Sequence, residues 1–109
     1  MSLQHKSLGE RWNQLSFVEQ MANIGSEVER ALNWRAKSNP AYSQKAFERA
    51  LELFDFTLDG SKDSARLKEV ARAREAAVDY FNGENEYKST EASWRKYFLA
   101  FNYAARKNS

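Results

Sequence analysis

The chain has 109 residues, 42% apolar, 14% aromatic and 29% charged, with 17 basic and 15 acidic side chains for a net charge of +2. That is one domain's length, 1–109, with too many apolar groups for a disordered chain, and its interspersed charges argue neither for nor against a nucleic-acid partner. Zero cysteines exclude a disulfide framework or thiolate metal site, and no run nears the roughly 20 apolar residues of a membrane-spanning helix.

Four glycines and one proline favour helix over short strands and tight turns. Met1-Ser2-Leu3 looks like an appended leader and carries no structural weight. Residues 1–15 read as a loosely attached N-terminal segment, with Trp12 and Leu15 able to fold back over one end of the domain. His5, Lys6, Glu10 and Arg11 interrupt any signal-like apolar core there, so a cytoplasmic protein is expected.

The first helix is expected over about 16–38. Ser16 and Glu19 form a capping-box pattern, and Phe17, Met21, Ile24, Val28 and Ala31 recur on one face, widened by Leu32 and Trp34. Gly25 in mid-helix costs about 1 kcal/mol relative to alanine and points to close approach of a neighbouring helix. Asn39-Pro40 then caps and starts a second helix over 40–59, with Phe47, Ala50, Leu51, Phe54 and Leu58 on one face. Leu53 and Phe56 extend that face around the cylinder, so this helix is expected to be the most buried. Asp59-Gly60 stops it.

Ser64 is the expected cap of a third helix over 64–82, carrying Leu67, Val70, Ala71, Ala77, Val78 and Phe81. Asn82-Gly83 ends it with a left-handed glycine. A polar loop leads to Thr90, the cap of a fourth helix over 90–107 whose face is Trp94, Tyr97, Phe98, Phe101, Ala104 and Ala105. Four segments of similar length with short connections give an all-α expectation: a four-helix up-and-down antiparallel bundle.

Candidate sites are sparse. Glu48, Glu52, Asp55 and Asp59 make an acidic stripe on the second helix that a basic partner surface would relieve. A di-iron bundle site would also need Glu-x-x-His motifs, and the single histidine is His5. Arg74 interrupts the third helix's apolar face, so it must pair, with Glu27 or Glu52 as counter-charge, snorkel outward, or line a cleft. Arg72, Arg74, Arg95 and Lys96, with aromatics interleaved on the fourth helix, are the residues that could meet phosphates. Tyr87 is a candidate contact in the exposed loop. No cysteine, no histidine outside the tail and no nucleophile elbow or phosphate-cradling loop point to an enzyme, a metal or a cofactor.

Ala46 to Leu53 resembles the second helix of a tetratricopeptide repeat, but no second copy follows at the required spacing. The blocks Met21–Val28, Arg49–Leu53 and Asp79–Tyr87 are similar to a group of uncharacterised small helical proteins of bacteria and archaea. Through them, the chain resembles helical companions of minimal nucleotidyltransferases and HEPN helical domains. That resemblance implies a four-helix bundle acting with a partner, in some cases within a toxin–antitoxin pair. Active HEPN ribonucleases carry an arginine followed four to six residues later by histidine. Here Arg72 and Arg74 precede Val78, Asp79 and Tyr80, so the resemblance implies no ribonuclease activity through that motif. The expected role is a non-enzymatic interaction protein acting through a protein partner or as a homodimer, with the acidic stripe of the second helix or the aromatic end of the fourth, Tyr103 included, as the contact. The alternative is an RNA- or nucleotide-associated HEPN-like module.

Overall fold

The structure, a computed structural model, describes residues 9–107. His5 and Met1 to Leu3 lie outside the described residues. The described chain is 82% helix with no strand. It has five helices rather than the four expected: α1 at 9–12, α2 at Phe17–Ala36, α3 at Pro40–Gly60, α4 at Ser64–Asn82 and α5 at Glu91–Lys107.

Local chemistry accounts for most of the boundaries. The Ser16 hydroxyl accepts from Glu19 N at 3.1 Å while the Glu19 carboxylate accepts from Ser16 N at 3.0 Å, so the capping box forms. These bonds hold the Glu19 carboxyl below its ordinary pKa. α2 ends at Ala36, two residues early, because Ser38 takes a φ of 60° and its amide turns back to Arg35 O. Asn39 caps α3 by accepting from Tyr42 N, with Pro40 in the first turn. Asp63, rather than Ser64, caps α4, accepting from both Ala65 N and Arg66 N. Gly83 is not left-handed: its φ is −111°, and Asn85 and Lys88 supply the positive φ angles of the following loop. Thr90 and Ser93 exchange side-chain bonds with each other's amides, and α5 starts one residue later than expected.

α2 is the central helix, correcting the expectation that α3 is the most buried. It packs against both α3 and α5, and Met21, Ile24, Val28, Ala31 and Leu32 are all at most 1% exposed. Ser43 donates from α3 to the Ala31 carbonyl of α2 at 2.8 Å. Gly25 lies where α5 comes closest. A Cβ built there would sit 2.8 Å from Cβ, Cγ and Cδ1 of Phe98, which confirms close helix approach as the reason for glycine.

α4 packs chiefly against α3. Phe47 of α3 stacks on Phe81 with centroids 4.8 Å apart, and Arg35 of α2 holds its guanidinium over Tyr80 and Phe81. The buried stripe of α4 is Val70, Ala73 and Ala77, whereas Ala71, expected inside, is exposed.

The described part of the N-terminal segment is held to the bundle by Trp12, one of the two residues expected to fold back. Trp12 is buried, and its Nε1–H donates to Thr57 Oγ1 at 2.8 Å while the Thr57 hydroxyl donates to Leu53 O. Gln20 closes the cluster by donating to the carbonyls of Trp12 and Leu15. Asn13 covers Gly60 so closely that a side chain at that position would collide with it.

Candidate functional site

α4 and α5 barely touch along their backbones. Between them lies an open groove of about 530 Å³, with Ala65, Ala73 and Ala76 on its α4 wall and Trp94 and Tyr97 on its α5 wall. Helices in contact sit about 8–10 Å apart when side chains interdigitate. Here the small α4 residues leave the space open, and aromatic groups reach across it. Tyr97 donates its hydroxyl to Glu69 Oε2 at 3.0 Å, and Tyr80 meets Trp94 edge-on at 6.4 Å.

Two polar features mark this groove. Trp94 is 5% exposed, and its indole N–H finds no acceptor among the described residues. A buried donor without an acceptor costs about 1–3 kcal/mol. The Tyr97 phenol is the second. Burial, then the hydrogen bond its hydroxyl donates to the Glu69 carboxylate, push its pKa far above the ordinary 10. The folded state therefore holds that proton more tightly than the unfolded chain. Its contribution is fully present below pH 10 and is lost as pH rises beyond it. Urea midpoints should fall between pH 10 and 11.5 or so, and Tyr97→Phe should flatten the fall. An unchanged slope in that variant would contradict the assignment.

The residues singled out from the sequence lie on separate flanks. Arg74 pairs with Asp55 through Nε–Oδ1 at 2.9 Å, with about a third of its side chain exposed. Its counter-charge is thus neither Glu27, which binds Arg30 at 3.0 Å, nor Glu52. Arg74 sits at the edge of the α4 stripe, and Asp55 comes from the acidic stripe, so two separate candidates form one bridge between α3 and α4. Glu48 is exposed and Glu52 is half-buried.

Arg95 faces the other way. Its Nε donates to both Glu29 carboxylate oxygens at 3.0 and 2.9 Å, and its terminal nitrogen to Asn33, tying α5 to α2. Glu91 lies 3.8 Å from the same guanidinium. Arg72 lines the α4–α5 groove with Lys68, and Lys96 is exposed. Tyr87 is 53% exposed, and its hydroxyl bond to Glu75 raises its pKa. Among the described residues, no three His, Cys, Asp or Glu side chains could share a metal ion, and no helix is long and apolar enough to cross a membrane.

Two functional features escaped the sequence reading. Asp79 organises the α4–α5 loop, its carboxylate accepting from Glu86 N at 2.8 Å and Tyr87 N at 3.0 Å. The pattern Asp-x-x-x-Gly at a helix end was its only signal. The other is the outer face of α5, where Leu99 is 64% and Tyr103 is 67% exposed, one turn apart. Tyr103 belongs to the aromatic end of the fourth helix that was expected as a contact, but Leu99 fell outside the assigned core face without being read as a surface. No protein-family model, curated protein or solved structure matches the chain.

Proposed function

We propose that this chain is a non-enzymatic association module: an up-and-down antiparallel bundle of four long helices that works by presenting α5 to another protein surface. The observation that carries the reading is the pair Leu99 and Tyr103. They are the most exposed large apolar side chains of the described chain, adjacent on one helix that also walls an open aromatic groove. Water-facing apolar side chains gathered on one element mark association surfaces, whereas scattered ones are ordinary. Tyrosine suits that role because it buries a large area and keeps a polar tip.

The alternative, an RNA- or nucleotide-associated HEPN-like module, would need Arg72, Arg74, Arg95 and Lys96 to act together. Arg74 and Arg95 are each held by a carboxylate, on the α3 and α2 sides respectively. That dispersal favours the protein-association reading.

Capture tests it. Immobilised full chain and its L99D/Y103D variant are offered a lysate of the source organism together with untagged chain. Proteins retained by the wild type and released by the variant support the reading. Equal retention, or none, overturns it.

A further inference from the structure

We propose that the groove between α4 and α5 binds a small amphipathic carboxylate, its acid group at Arg72 and Ser89 and its apolar body along Ala73, Ala76 and Trp94. The site is separate from the outer face of α5 on which association rests.

The shape of the groove suits a compact molecule. Two side-chain bridges cross it: Tyr97 of α5 donates to Glu69 of α4 at 3.0 Å, and Trp94 of α5 meets Tyr80 of α4 edge-on at 6.4 Å. The later α5 residue meets the earlier α4 residue, so α5 runs back along α4 here. A partner helix laid along the groove would have to break both bridges, whereas a small molecule need break neither. The volume of about 530 Å³ is that of an ordinary small-molecule site.

Charge names the ligand class. Lys68 and Arg72 line the groove four residues apart on α4, and no ion pair among the described residues involves either. Like charges one helix turn apart repel, so an anion beside them relieves the strain. The groove's own carboxylate, Glu69, is engaged by the Tyr97 hydroxyl. The Ser93 hydroxyl is engaged by Thr90, which leaves Ser89 as the hydroxyl donor at the end of the groove away from Tyr97. The planar fork of Arg72 matches a carboxylate with two parallel donors. An inorganic anion would leave the apolar wall of Ala73, Ala76 and Trp94 wet, so the ligand carries a ring or short chain as well as its acid.

Titration of the full chain at low salt, followed by the amide shifts of protein NMR, tests the proposal. The probes are 3-phenylpropionate, indole-3-acetate and octanoate, each beside its neutral amide, and circular dichroism checks that every variant keeps wild-type helicity. At least one acid is expected to bind with a Kd of about 1 mM or tighter, and about threefold to tenfold tighter than its amide. R72Q should remove that preference and leave the affinity for the amide unchanged, which a folding defect could not do. A76L, which fills the floor of the groove, should weaken acid and amide alike by about tenfold. K96Q removes the same charge from an exposed position outside the groove and should change neither. No binding by any acid, an acid held no tighter than its amide, an R72Q variant that keeps the preference, an A76L variant that binds as the wild type does, or a K96Q variant as weak as R72Q overturns the proposal.

Discussion

Phe47→Ala is expected to lose about 3–5 kcal/mol of unfolding free energy, the usual cost of emptying a buried phenylalanine site. Phe47 is fully buried and stacks on Phe81 at an interplanar angle of 27°. Its removal forfeits both the apolar burial and the ring contact that holds α4 to α3. The surroundings cannot easily collapse into the gap, because Ile24, Ala50 and Phe54 are themselves fully buried. A domain of this size is stable by only about 5–15 kcal/mol, so the variant should unfold at much lower urea. A loss below about 1 kcal/mol would mean that the core relaxes far more than tight packing allows.

Gly25→Val is the second large effect, and Gly25→Ala gives it a diagnostic sign. On helix propensity alone, alanine at this position should stabilise by about 1 kcal/mol. The new Cβ, however, would stand 2.8 Å from three atoms of Phe98, including its Cβ, and Phe98 is 3% exposed. Neither the α5 backbone nor a buried ring yields cheaply, so overpacking costs about 1–3 kcal/mol. Gly25→Ala is therefore expected to destabilise, and Gly25→Val to destabilise more as its branches meet the same ring. The Arg95–Glu29 bridge should weaken with it, since α5 must move off α2. Urea unfolding of both variants checks this, and a stabilised Gly25→Ala would show that the helices are not in contact there.

How much of this was legible in the sequence depends on the range of each interaction. Ser16 with Glu19, Asn39 with Pro40 and Thr90 with Ser93 act within one turn, so the helix starts follow from local chemistry. Gly25 was legible as an anomaly whose cause had to be another helix. Trp12, Gln20 and Thr57 form their network across as many as 45 residues, and nothing local distinguishes Thr57 from an ordinary helix-surface threonine. On α4, alanines at 71, 73, 76 and 77 leave the buried face weakly encoded. The stripe lies rotated toward Ala73, which puts Arg74 at its margin beside Asp55. The groove arises from small side chains on α4 facing large ones on α5, and hydrophobic periodicity on each helix taken alone does not show a mismatch between two of them. Leu99 and Tyr103 were visible as residues, but their exposure is a property of the packed whole.

The exposed α5 face is the centre of the functional account, and the cysteine-free sequence allows it to be probed without background. L99C labelled with a photo-cross-linker should join covalently to its partner in a lysate of the source organism, because residue 99 stands on the exposed face of α5. E48C, at an exposed position on α3, supplies the rate of random collision. Cross-linking from L99C well above that rate, and lost when Y103D is added, is the predicted result. Cross-linking of L99C no faster than E48C would contradict the account.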